Sequence, residues 1–157
     1  MTTLSYILVI LTLGISTQKH VEKQPFTIAV APWKDTFAVG ADVWIKVTLT
    51  NTSKEELDDS GNISGRTGLD PNFQYEVRDE KGGLVPKRRF DHPEIDTGSP
   101  TNRTLQPGET ITQDQRVSAL YDLSRPGKYT IQVSMPIPGT LGKSNVKSNI
   151  VTITLSK

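Results

Sequence analysis

Residues 42–51 read DVWIKVTLTN, with Val43, Ile45, Val47 and Leu49 on one side and Trp44, Lys46, Thr48 and Thr50 on the other. Strict alternation over this length fits a half-buried strand, because successive side chains of a strand point to opposite faces. The same period recurs. Phe26 to Ala31 reads FTIAVA and is closed by Pro32, with Val39-Gly40 as the expected turn into the next strand. Phe73, Tyr75 and Val77 alternate with Gln74, Glu76 and Arg78, and Asp79-Glu80-Lys81-Gly82-Gly83 turns the chain into Leu84-Val85 as a hairpin. Pro107-Gly108 joins a short Arg103 to Leu105 strand to a Glu109 to Val117 strand. A last hairpin pairs Tyr129, Ile131, Val133 and Met135 with Val151, Ile153 and Leu155 across the Pro136 to Asn149 connection. No window carries helical periodicity, since Pro or Gly interrupts every stretch long enough for several turns. The expected class is all-β, an immunoglobulin-like antiparallel β-sandwich of about seven to eight strands.

Composition removes many kinds of chemistry. The 157 residues fit one domain. They include no cysteine and two histidines, so disulfides, thiolate nucleophiles and iron–sulfur clusters are absent and zinc sites are nearly so. Eighteen basic against 17 acidic residues give a net charge of +1, which argues against nucleic acid as a partner. A serine hydrolase needs a histidine base. His20 lies in an expected tail and His92 is flanked by Asp91 and Pro93, with no G-x-S-x-G elbow in the chain. The expectation is a protein that is not an enzyme and carries no cofactor or metal.

At the N-terminus, Leu4 to Ile15 is an uncharged apolar run too short to span a bilayer, and Gly14-Ile15-Ser16 offers the small-x-small pattern of a cleavage site. Residues 1–16 therefore read as a signal peptide, 17–24 as a flexible tail and 25–157 as the sandwich. The protein is expected to be secreted or periplasmic, with no membrane span after cleavage.

Two long connections break the strand series. Asn51 to Asn72 carries two basic and five acidic side chains, a net charge of −3, and reads as a solvated acidic loop. Asp58, Asp59, Ser60, Asn62 and Asp70 supply oxygens of the kind calcium prefers, without EF-hand spacing. The second connection, Lys87 to Asn102, opens with Lys87, Arg88, Arg89 and Phe90, a basic and aromatic cluster that reads as solvated loop charge or as a site for phosphate, an acidic glycan or a partner's carboxylate. It continues through His92, Glu94 and Asp96, whose alternation is a weak metal pattern broken by Pro93. Trp44, on the opposite face of its strand from Val43, Ile45, Val47 and Leu49, reads as a packing residue, with an exposed binding anchor as the alternative, and an exposed Trp44 or Trp33 would serve as a sugar-stacking platform.

In Ser124-Arg125-Pro126-Gly127-Lys128-Tyr129 a tyrosine starts a strand after a tight turn, the arrangement of a tyrosine corner. Together with the Leu49-Thr50-Asn51 strand end, the Asp79-x-x-Gly82 turn and Leu105-x-Pro107-Gly108-Glu109, this series resembles the bacterial intracellular proteinase inhibitor family over roughly Ala41 to Val133. The resemblance implies a small immunoglobulin-like domain, and a serine protease as one possible partner. The expected function is an exported protein-binding module working through its loops, with protease inhibition and carbohydrate binding as the alternatives.

Overall fold

The computed structural model describes residues 24–58, 61–63, 70, 72–88, 99–101, 103–138, 140 and 143–157. The expected signal peptide, most of the tail and His92 lie outside them. Twelve strand segments and one short 3-10 helix are formed among the described residues. β1 (Phe26–Pro32), β3 (Trp44–Asn51) and β9 (Thr110–Arg116) make one antiparallel sheet in the order β1-β3-β9. The second sheet is built on β10 (Gly127–Pro136), which pairs antiparallel with β6 (Gln74–Asp79) on one side and with β11 (Asn145–Lys147) and β12 (Val151–Ser156) on the other. β2 (Thr36–Ala38) joins the far side of β12 in parallel. In chain order these are the A-B-E and C-F-G sheets of an immunoglobulin-like sandwich.

The core follows from the alternation. Phe26, Ile28 and Val30 meet Ile45, Val47 and Leu49 within the first sheet, and Val77, Ile131, Val133, Ile153 and Leu155 face them from the second. With no cysteine, apolar burial carries the load that an inter-sheet disulfide carries in antibody domains. Tyr129 is buried, and its hydroxyl donates to the carbonyl of Arg125 at 2.9 Å. Tyr129→Phe is expected to cost about 0.5 to 1.5 kcal/mol, the net worth of one such bond, measured by urea denaturation.

Three features differ from the sequence expectation. Between β1 and β3 the chain does not simply turn at Val39-Gly40: it crosses to the opposite sheet as β2 and returns through Gly40, whose φ of +85° favours glycine. The last hairpin is not a single pair, because Ile131 faces Val151 and Ser134 faces Lys147, leaving two residues of β10 opposite three. This is a β-bulge at 148–150. It presents Asn149 to the edge of β1, where Oδ1 accepts from Val30 N and Nδ2 donates to Val30 O, both at 2.9 Å. One side-chain amide thus caps an open sheet edge.

The third difference concerns the long connections. β4 (Leu57–Asp58) pairs with β8 (Thr104–Leu105), and β5 (Gly61–Ile63) pairs with β7 (Ser99–Thr101). The two described pairs share one register, Leu57 opposite Leu105 and Ile63 opposite Ser99. Parts of the two expected loops, together with the expected Arg103 to Leu105 strand, thus pair antiparallel as a ribbon, rooted in the core by the buried Leu57 and Leu105. These short strands raise the count above the seven or eight expected.

Candidate functional site

The hairpin from β6 reaches the segment of Lys87 and Arg88. Asp79 accepts N–H groups of Lys81 and Gly83 on Oδ1 at 3.0 and 2.8 Å, and Gly82 takes φ +80°, which closes the turn. Val85 N then donates to Val77 O at 2.9 Å. Pro86 has no N–H to continue the ladder, so the strand leaves β6 and crosses to 120–122. There Arg88 N donates to Leu120 O at 2.8 Å and Asp122 N to Pro86 O at 3.1 Å.

This departure opens a recess of about 380 Å³ between Tyr75 and Val77 of β6, Leu84 and Val85 of the returning strand, and Tyr121. Leu84 stands at its mouth with 66% of its surface exposed. Tyr121 closes one side, its hydroxyl donating to the carbonyl of Tyr75. Glu76 and Lys87 complete the rim. Arg78 Nε holds the Glu76 carboxylate at 2.6 Å, and that hydrogen bond, then the guanidinium charge, keeps Glu76 below the usual carboxylate range. Lys87 and Arg88 are exposed and make no ion pair among the described residues, which leaves the rim with positive character. Arg89 and Phe90 of the same expected site lie outside the described residues.

Behind the recess is a buried polar chain that sequence reading missed. Tyr75 donates its hydroxyl to Gln115 Oε1 at 2.9 Å, and the same oxygen accepts Asp70 N at 3.0 Å. Asp70 is 1% exposed, and its Oδ2 pairs with Arg103 at 2.8 Å while Oδ1 accepts Asn72 N at 3.0 Å. This corrects the reading of Asp70 as part of a solvated acidic surface: its carboxylate is committed to Arg103. Among the described residues no three metal-ligating side chains converge, and no helix is long and apolar enough to cross a membrane.

Burial, then the Asp70 charge, pushes the Tyr75 hydroxyl far above its ordinary value. Tyr121 and Tyr129 are also raised, first by burial and then by the charges of Glu76 and Asp122 respectively. Folding keeps these hydroxyls protonated above about pH 10, where unfolded tyrosine ionises. The unfolded chain then binds fewer protons, so stability present below pH 10 falls as pH rises. For Tyr75 the slope is about 1.4 kcal/mol per pH unit. Urea midpoints at pH 8 and 11 are expected to differ accordingly, with Tyr75→Phe flattening the dependence; equal midpoints would contradict it.

The two tryptophans occupy the outer face of the β1-β3-β9 sheet. Their rings stack at 5.4 Å with planes 20° apart. Trp33 Nε1 donates to Asp114 Oδ1 at 2.8 Å, and the Arg116 guanidinium lies 5.8 Å from the centre of the Trp44 ring. Trp44 is half-buried in this stack and Trp33 is 52% exposed. A second recess, about 310 Å³, opens beside Trp33 over Ala31, Pro32, Lys46 and Asp114.

No family model matches the chain, and no curated protein matches it. Among solved structures it is similar to a β-glucosidase from Erythrobacter marinus, at 15% identity and TM-score 0.43, covering 83% of this chain and 15% of that one. A β-glucosidase from Listeria innocua matches at 14% identity and TM-score 0.44, over 84% of this chain and 16% of the enzyme. The CARDB domain of a Pyrococcus furiosus protein matches at 13% identity and TM-score 0.42, over 83% of this chain and 94% of that domain. The chain thus spans about one sixth of the glucosidases' length, and its immunoglobulin-like character rests on strand order and register.

Proposed function

We propose that this domain is an exported, non-catalytic module that binds a protein partner through the recess beside Lys87. The observation that supports it is Leu84, a large apolar side chain left 66% exposed at the mouth of an apolar recess. Burying the exposed two thirds of this residue gains about 1 to 2 kcal/mol, an incentive for association. The rim defines the partner's chemistry: an apolar anchor enters between Tyr75, Leu84 and Tyr121, and flanking carboxylates meet Lys87 and Arg88. The apolar Leu4 to Ile15 segment supports export, and the lack of cysteine and scarcity of histidine support a non-catalytic role. A serine protease is a narrower form of the same partner, with Lys87 or Arg88 entering a trypsin-like pocket.

Selection from a random peptide display library tests this directly. Enriched sequences are expected to combine an aromatic or aliphatic anchor with Asp or Glu. Leu84→Asp and Lys87→Glu are each expected to weaken their binding by about tenfold or more without lowering thermal stability. Selected peptides that lack acidic residues, or that bind both variants unchanged, would overturn the assignment. Trypsin inhibition lost in a Lys87→Glu, Arg88→Glu double variant would identify the narrower partner.

A further inference from the structure

The outer face of the β1-β3-β9 sheet is ordered in cross-strand rows. Thr27, Thr50 and Thr110 form one, Ala29, Thr48 and Thr112 the next, then Ala31, Lys46 and Asp114, and finally Trp44 and Arg116. Adjacent threonine hydroxyls bond each other at 2.9 Å (Thr50 to Thr110) and 3.2 Å (Thr48 to Thr112), so the first two rows are a flat floor of methyls and hydroxyls. Trp33 follows Pro32 and reaches across the sheet to Asp114 on β9. Trp44 covers one of its faces, and the recess over Ala31, Lys46 and Asp114 opens beside it.

We infer that this recess binds a pyranose ring of a neutral oligosaccharide, a site independent of the Leu84 surface. Three observations choose that ligand. The indole is half exposed yet fixed by its hydrogen bond to Asp114 and by Trp44 behind it, so an aromatic face is presented with little ordering cost on binding. The C–H bonds on one face of a pyranose complement the negative face of an indole. Charge at the site is balanced, with Lys46 against Asp114 and Arg116 paired to Asp42 at 3.4 Å, which favours a neutral, hydroxyl-bearing ligand over a cation or a phosphate. The volume, near the lower end for small-molecule sites, suits one sugar ring. Neighbouring residues of the chain would lie along the threonine floor, with hydroxyls meeting Lys46 and Asp114.

The test is titration of the chain with hexasaccharides of glucose, mannose, xylose and N-acetylglucosamine, read by tryptophan fluorescence and by the NMR signal of the Trp33 indole N–H. At least one is expected to bind saturably and shift that signal. Trp33→Ala should weaken binding at least about tenfold, and Trp33→Phe, which keeps a flat apolar face, should weaken it less. Lys46 is exposed and outside the stack, so Lys46→Ala should weaken binding severalfold at an unchanged melting temperature, which guards against loss of fold in the Trp33 variants. The Leu84→Asp variant should bind the sugar normally. Flat titrations with all four sugars, unchanged binding in Trp33→Ala, or binding of tetramethylammonium in place of the sugars would overturn the proposal.

Discussion

Replacing Asn51 by alanine is expected to destabilise the domain by about 3 to 5 kcal/mol and to loosen the ribbon from its root. Asn51 ends β3 and is completely buried. Its Nδ2 donates to the carbonyls of Glu55 at 2.8 Å and Leu105 at 2.9 Å, and its Oδ1 accepts from the N–H and hydroxyl of Ser53 at 2.9 and 2.8 Å. One side chain therefore satisfies both strands where the ribbon leaves the sheet. Alanine keeps the main-chain bonds to Glu109 and Gly108 but leaves the Leu105 carbonyl without its donor. Each buried polar group stripped of a partner costs about 1 to 3 kcal/mol, which sets the expected total. Urea denaturation measures it, and hydrogen exchange of the Leu57 and Leu105 amides should quicken. A loss below about 1 kcal/mol would show that water or local rearrangement replaces the amide.

Ile131→Ala is expected to cost about 2 to 5 kcal/mol, lowering the melting temperature by on the order of 10 °C. Ile131 is fully buried in β10, in register with Val77 of β6 on one side and Val151 of β12 on the other, so the neighbouring strands cannot collapse into the space left. Ile150 offers an internal control. It is 62% exposed in the bulge, and its replacement by alanine should change stability by no more than about 0.5 kcal/mol. Comparable losses at the two positions would contradict the placement of the core.

The main strands were legible because each carries its own apolar alternation, and burying one face fixes the register. β3 and β10 show this plainly. The ribbon was not legible, since Gly61–Ile63 and Ser99–Thr101 have no alternation and their pairing spans nearly forty residues. Asp70 was misread for a related reason: local sequence shows an acidic loop, whereas its burial depends on Arg103, Gln115 and Tyr75 from distant segments. The bulge hid in the polar Ser148-Asn149 pair, which resembles an ordinary turn. Lys87 and Arg88 could be singled out by charge, but Leu84 and Tyr121, which make the recess beside them, gave no signal until the Pro86 crossing brought them together. The tryptophans were legible as a sugar-stacking alternative from the outward side of β3 that Trp44 occupies, but their stacking and the bond from Trp33 to Asp114 on β9 depend on the strand pairing and were not.

The most direct test of the recognition surface is a map of backbone amide shifts in the ¹⁵N-labelled chain on titration with an acidic, apolar-anchored peptide from the display selection. Shifts are expected to form one patch over Tyr75 to Val77, Leu84 to Arg88 and Tyr121, and to disappear in Leu84→Asp. A patch centred instead on Trp33, Lys46 and Asp114, or shifts that persist in Leu84→Asp, would contradict the assignment of protein binding to the recess beside Lys87.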